Sequence, residues 1–331
     1  MAVAKTTGTK TSAEAGPKPP GDVHAHKFFA PPAYVGAIRR DAILDRVLGD
    51  KTARVVLLQG PAGHGKSTVL QQIKSTFEEQ GHITAWLTLD EADNDIRRFY
   101  LHAQGMAAAL VAPGEEHEGG RRRSDWLISL LLKTGKPVAL FLDDFQVLYN
   151  KTVLTFFREL FERMPEHARL FIGTRSMPEI GLSRLVVNQR AVILHADDLR
   201  FSPAEVEQFF SESMKDVSRE EIDAIYRRTE GWPAALQLFR LSLASPQVRR
   251  SLVDVGDYRP RELAEYLADN VLALQTPEIQ DFLRRTSLLG RLSASLCQAV
   301  TGRADSQELL LKLERSGLFV RSLDSDLRWF N

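Results

Sequence analysis

Eight consecutive residues constrain this chain more than anything else in it. Gly60-Pro61-Ala62-Gly63-His64-Gly65-Lys66-Ser67 spells G-x-x-x-x-G-K-[ST] in full. The preceding run Arg54–Gln59 (RVVLLQ) is short, apolar and β-branched, as a strand covered on both faces requires. The following run Ser67–Gln80 carries Val69, Leu70, Ile73 and Phe77 at helical spacing, with Gly81 as its stop. A strand, a glycine-rich turn and a helix are the setting this motif needs. Glycines let the backbone curl until successive N–H groups point inward, and the positive end of the helix adds to the attraction for phosphate. Lys66 then reaches the β- and γ-phosphates and Ser67 ligates Mg²⁺. A chance glycine-rich turn would not match every fixed position in that context. His64 occupies a free position of the motif and receives no role.

Downstream, strands alternate with helices. Ile83–Leu89 and Pro137–Leu142 read as strands, followed by Leu170–Thr174 and Ala191–His195. Phe99–Val111, Trp126–Lys133 and Val153–Met164 read as helices between them, and the charged, Gly-rich Gly114–Arg123 reads as a loop. Such alternation implies right-handed crossovers and a parallel sheet with helices on both faces. After Phe201 the pattern becomes helical only. Ser202 with Glu205 and Ser218 with Glu221 form capping boxes, and Pro203 takes a first helical position. Helical stretches at Thr276–Leu289, Ala294–Val300 and Gln307–Ser316 precede a hairpin of Leu318–Leu323 and Leu327–Phe330, a winged-helix pattern. The expected organisation is a tail at 1–27, a P-loop nucleotide-binding domain at 28–200, an all-α segment at 201–275 and an incomplete winged-helix domain at 276–331. The fold class is α/β.

The apolar run Val138–Leu142 ends in Asp143-Asp144. Ligands of open α/β sheets bind at the carboxyl ends of strands, where these two carboxylates fall. Alone, such a pair is equally a solvated turn. Beside a phosphate loop, Asp143 holds Mg²⁺ through water and Asp144 orients or activates the attacking water. Arg175 closes the strand LFIGT and either senses a γ-phosphate through its bidentate guanidinium or caps its strand. The acidic run Asp90–Asp95 has the wrong spacing for a Ca²⁺ loop and reads as a turn capping the next helix.

Composition limits the partners. Over 331 residues, 43 Lys+Arg balance 43 Asp+Glu, which removes a whole-surface nucleic-acid footprint. One cysteine, Cys297, excludes an internal disulfide and, in its apolar helical context, reads as a buried structural thiol. Met1–Lys27 has almost no large apolar side chains and cannot offset its ordering entropy. It lacks the apolar stretch of a secretory signal, and nothing approaches the roughly 18 apolar residues of a membrane span. A cytoplasmic protein is expected.

Taken together, GPAGHGKST, AWLTLDEADND, VALFLDDFQVL, LFIGTRS, DLRFSPAEVEQFF and EGWPAALQL resemble the nucleotide-binding region of MalT-like, LuxR-type transcriptional regulators of the signal-transducing ATPase (STAND) class. The resemblance covers about residues 32–331. It implies that Gly60, Gly63, Gly65, Lys66, Ser67 and Thr68 hold ATP or ADP, and that Ser67 and Asp143 hold Mg²⁺. It also implies that Asp144 positions water, that Arg175 senses phosphate, and that Pro233 of Gly231-Trp232-Pro233 lies by the adenine. Val35 and Arg39-Arg40-Asp41 resemble the segment bordering the base, with a spacing that departs from the commoner VPRPRL form. Residues 277–331 match the winged helix that closes over ADP. Family members continue into a helical-repeat sensor and a C-terminal helix-turn-helix, so inducer and DNA would engage regions absent from this chain, and the chain would be a fragment or truncated product. The implied function is an ATP/ADP switch that self-associates in the ATP state and hydrolyses slowly. Two other readings are an AAA-type remodelling ATPase and direct DNA binding by the winged helix. In the second, the helix Ser306–Ser316 would present Lys312 and Arg315 beside Glu308 and Glu314.

Overall fold

In the computed structural model, residues 25–32, 36–111, 124–213, 217–243, 272–273, 275–315, 320, 323 and 326–330 are described. Five parallel strands form one sheet: β1 (Val55–Gln59), β2 (Ile83–Thr88), β3 (Val138–Asp143), β4 (Ala168–Thr174) and β5 (Ala191–Leu194). Their order is β2-β3-β4-β1-β5. β4 therefore lies between the strand that leads into the phosphate loop and the strand that ends in the acidic pair. Register is continuous across it, with Val56 opposite Phe171 and Phe171 opposite Phe141.

Alternation along the strands sends side chains to two dry faces. Leu57, Leu87, Leu140, Leu142, Leu170 and Ile172 meet α3 (Ile96–Ala107), α4 (Asp125–Thr134) and α5 (Lys151–Arg163) through Phe99, Leu127 and Phe157. Val56, Leu58, Trp86, Phe141 and Phe171 meet α1 (Asp41–Gly49) and α2 (Lys66–Glu79) through Leu44, Val69, Ile73 and Phe77. On this second face Trp86 stacks on Phe141 and Phe141 on Phe171, with centroids 5.8 and 4.8 Å apart. Each such pair adds about 1 kcal/mol to the burial of its rings. Both faces being covered explains why the strands read as unbroken apolar runs. Short helices α6 (Leu182–Val187) and α7 (Ala196–Leu199) flank β5.

Arg40 joins this unit to the helices that follow. Its guanidinium donates to the Leu199 and Arg200 carbonyls at 2.8 Å each and to Glu205 at 2.9 Å, and it lies 4.6 Å above the Phe201 ring. The helices α8 (Pro203–Ser213), α9 (Arg219–Thr229) and α10 (Pro233–Leu243) enclose Val206, Phe210, Ile225 and Leu236. Both expected capping boxes form, Ser202 with Glu205 and Ser218 with Glu221. A further cluster, with Phe282, Cys297, Leu310, Leu313 and Phe330, is built by α11 (Pro277–Thr286), α12 (Ala294–Thr301) and α13 (Ser306–Arg315). Cys297 is buried there, as its context implied.

Some expectations shift. Residues 25–27, grouped by composition with the tail, are folded: Ala25–Phe28 is a 3-10 turn and Lys27 is buried. Its ammonium bonds Asp93 at 2.6 Å, which gives the segment an anchor that composition does not register. Helix α3 begins at Ile96, three residues early, because Asp95 caps it through the Arg97 and Arg98 amides. Helix α11 ends at Thr286 and not at Leu289, since the Thr286 hydroxyl bonds back to Phe282 and the Leu289 amide turns onto Thr286. Of the expected hairpin, the Leu323 amide bonds the Trp329 carbonyl, while Phe330 pairs antiparallel with Leu292. Residues 1–24, Val35, the whole loop at 114–123, residues 244–271, residues 316–319 and residues 321–322 lie outside the described residues.

Candidate functional site

The phosphate loop runs from β1 into α2. Gly63 and Gly65 hold φ of 77° and 74°, the left-handed region in which a Cβ is costly, and Gly65 caps α2. Gly60 is tied to the neighbouring strand end by its amide, which bonds the Thr174 carbonyl at 3.1 Å. Lys66, Ser67 and Thr68 are the first three residues of α2, where backbone N–H groups have no intrahelical acceptor. The Lys66 ammonium is buried and donates to the Gly60 and Pro61 carbonyls at 2.7 and 2.8 Å. Burial, and then the Arg175 guanidinium, lower its pKa to about 8. His64 is buried as well, and burial lowers its pKa to about 4, so it is neutral near pH 7.

At the next strand ends, Asp143 is buried, with the Ser67 hydroxyl among the groups that act on its carboxyl. Burial raises its pKa, the Ser67 hydroxyl opposes that, and the Asp144 charge adds to it. Space for its carboxylate comes from Gly173 on β4, where a Cβ would fall 2.6 Å from Asp143 Oδ1. A glycine inside a strand marks such a close approach. Asp144 has left-handed backbone, φ 57°, and its amide bonds Asp143 Oδ1 at 3.0 Å. Arg175 follows directly after β4. One buried ammonium, one guanidinium and two carboxylates thus converge on the loop.

The helical segment reaches the same place. The Ala234 amide, in the first turn of α10, donates to the Gly63 carbonyl at 3.0 Å. The Trp232 and His64 rings lie 6.0 Å apart, and the Pro233 ring comes within 3.8 Å of where a Gly65 Cβ would stand. Residues 63–65 are therefore covered by residues 232–234. Arg39 is exposed and pairs with Asp41, whereas Arg40 is the buried member of that pair of arginines.

These residues fit a nucleotide with Mg²⁺. The loop carbonyls hold the Lys66 cation in place, and the electrostatic strain between it and Arg175 is relieved by a polyanion. Ser67 and Asp143 both present hard oxygen atoms, the donor type Mg²⁺ takes, and the Ser67 hydroxyl acts on the Asp143 carboxyl. Among the described residues no group of three or more His, Cys, Asp or Glu side chains could hold a metal alone. Mg²⁺ sites of this kind take their remaining ligands from phosphate and water.

Sequence reasoning brought the loop, both carboxylates, Arg175 and Pro233 to this region, and the geometry gathers them. It missed Gln146, which bonds Asp144 and the Arg175 amide, and Gly173. It also missed the buried Lys27, Asp93 and His102, in which His102 Nδ1 lies 2.5 Å from Asp93. A glycine within LFIGT was the one local signal for any of these.

Residues 39–172 match the AAA ATPase domain and residues 268–331 match the MalT winged helix domain. The HTH-type transcriptional regulator MalT of Yersinia pestis (strain Pestoides F) is 28% identical over 317 residues, which cover 92% of this chain and 35% of that protein. The MalT of Yersinia enterocolitica is 29% identical over 318 residues, with the same coverage. The chain thus spans about a third of the length of the curated relatives it matches. Among solved structures, a Walker-type ATPase of Pyrococcus abyssi covers 90% of this chain and 94% of its own, with a TM-score of 0.59 at 15% identity, a likeness of fold.

Proposed function

From a chain related to the MalT transcriptional regulators, with an AAA ATPase domain ahead of a MalT winged helix domain, we propose a nucleotide-operated switch, the ATP/ADP-binding part of such a regulator. The observation that carries this reading is the buried Lys66 ammonium, held by its own loop carbonyls, with the charges of Arg175, Asp143 and Asp144 acting on it.

Gly60, Gly63 and Gly65 shape the loop, and the amides at the start of α2 together with Lys66 hold the β-phosphate. Ser67, and Asp143 through water, would hold a Mg²⁺ that accompanies the nucleotide, which would supply positive charge against the phosphates. Asp144 orients the attacking water and accepts its proton, while Arg175 stabilises charge on the γ-phosphate. Pro233 borders the adenine, and Thr68 adds a donor at the helix start. Turnover is slow and resets the switch.

Three bodies would cooperate: a nucleotide-binding domain to about residue 200, helices over 201–275 and a winged helix over 276–331. The separate apolar clusters support that division. ADP clamped between the first body and the winged helix keeps the chain closed; ATP favours an open form that self-associates. A switch of this kind requires the two nucleotides to differ in affinity for the two forms. DNA and inducer would be engaged by other portions of such a regulator. No helix among the described residues is long and apolar enough to cross a membrane.

Mass spectrometry of nucleotide released from the purified protein should find ADP. Lys66→Ala should weaken binding of a fluorescent ADP analogue by about 100-fold or more, the loss of about 3 kcal/mol of charge-assisted bonding, with unchanged circular dichroism. Wild-type affinity in the variant would sink the assignment.

A further inference from the structure

The Asp144 carboxylate does not stand alone. Gln146 Nε2 donates to Asp144 Oδ1 at 2.8 Å, and Gln146 Oε1 accepts from the Arg175 backbone amide at 3.0 Å. A single side-chain amide thus spans the ends of β3 and β4 beyond the point where their pairing stops, at Leu142 opposite Ile172. Its polarity is dictated by its partners: a carboxylate oxygen accepts from the NH₂ group, and a backbone N–H donates to the carbonyl oxygen. The turn that carries Gln146, Phe145–Val147, is fixed from below by Phe145, which is buried with its ring edge-on to Phe157 at 4.9 Å. The residue it holds needs holding, because left-handed backbone at a non-glycine position is disfavoured by about 1–2 kcal/mol.

We propose that Gln146 is a positioning residue: it sets the Asp144 carboxylate and links it to the Arg175 strand end, so that a change at the phosphate sensor reaches the water-orienting group. This rests on the reading of Asp144 given above. An amide is suited to the task because it donates and accepts at once without charge. A glutamate there would set a second carboxylate against Asp144 and could donate only when protonated.

The test compares wild type with Gln146→Ala, Gln146→Glu and Asp144→Ala. Three readouts are taken: Mg-ATP turnover across pH 6–9, affinity for a fluorescent ADP analogue, and hydrogen–deuterium exchange of the peptide containing Arg175. Gln146→Ala should lower kcat by roughly 10- to 100-fold, the scale of a misplaced reacting group. KM and ADP affinity should stay within about twofold, and the Arg175 amide should exchange faster. Gln146→Glu should be equally slow at high pH and recover towards pH 6, as the protonated carboxyl regains the donor; wild type should show no such gain. Unchanged kcat or unchanged Arg175 exchange in Gln146→Ala, with Asp144→Ala inactive, overturns the inference and leaves the reading of Asp144 standing. So does a loss of kcat and ADP affinity together, or an acid limb missing from Gln146→Glu. Asp144→Ala as active as wild type, or a wild type without turnover, overturns that reading and the inference with it.

Discussion

Lys66 holds its proton less firmly than a lysine in water, because burial and the Arg175 charge both disfavour the ammonium, and its pKa falls to about 8. Phosphate beside it would raise that value again, so nucleotide binds the protonated form better. The sign follows: ADP affinity is constant below about pH 8 and weakens above it, by up to tenfold per pH unit for one linked proton. Titration of a fluorescent ADP analogue between pH 7 and 10 should show this slope. Lys66→Arg, whose charge persists across the range, should be flat over the same interval. A wild-type affinity that ignores pH would place the ammonium outside the phosphate contact. Gly173 belongs to the same scale, since it leaves the room that Asp143 occupies.

The elements themselves were legible wherever their signals are local. Capping boxes, the Gly81 stop and unbroken apolar strands are written within a few neighbouring residues, and α2, α8, α9 and the five strands appear where those signals put them. What could not be read depends on partners distant in sequence. Gln146 follows Asp144 by two positions, but its meaning comes from Arg175. Arg40 looks like a surface arginine until Leu199, Arg200 and Glu205 surround it. Gly231 combines both cases: its place before Trp-Pro marks a helix start, while its φ of +74° and its contact with Phe201 are tertiary facts. A Cβ there would lie 2.1 Å from the Phe201 carbonyl oxygen, whose own residue donates its amide to the Gly231 carbonyl at 2.7 Å. Gly231→Ala should therefore cost roughly 3 kcal/mol, from the strained φ and the displaced backbone. The midpoint of urea unfolding would report it, and an unshifted midpoint would contradict the geometry. ADP binding should weaken too, since residues 232–234 rest on the phosphate loop.

At the scale of the whole molecule, long-range ties fasten the chain's beginning to the sheet. Lys27 reaches Asp93 at 2.6 Å and Asp90 at 3.0 Å, and Phe28 lies over Gly105, where a Cβ would be 2.5 Å from its ring. Asp93 is wholly buried, so removing its cation leaves the carboxylate only the Asp90 amide and His102. Lys27→Met should destabilise the fold by roughly 3–5 kcal/mol, the usual cost of breaking a buried ion pair. Thermal unfolding would measure it; a variant as stable as wild type would mean that His102 and the Asp90 amide satisfy Asp93 without Lys27.

The strand order carries a consequence for how the chain is made. β1 is the first strand to leave the ribosome, yet both its neighbours, β4 and β5, are the last two. Until those are synthesised, Val55–Gln59 has no strand to pair with, while β2 and β3, adjacent in sequence order, can already meet. Contacts of such long sequence separation form slowly and leave apolar surface exposed meanwhile. The phosphate loop is thus encoded early and assembled late: a nascent chain stalled before β4 holds the whole motif and no pocket.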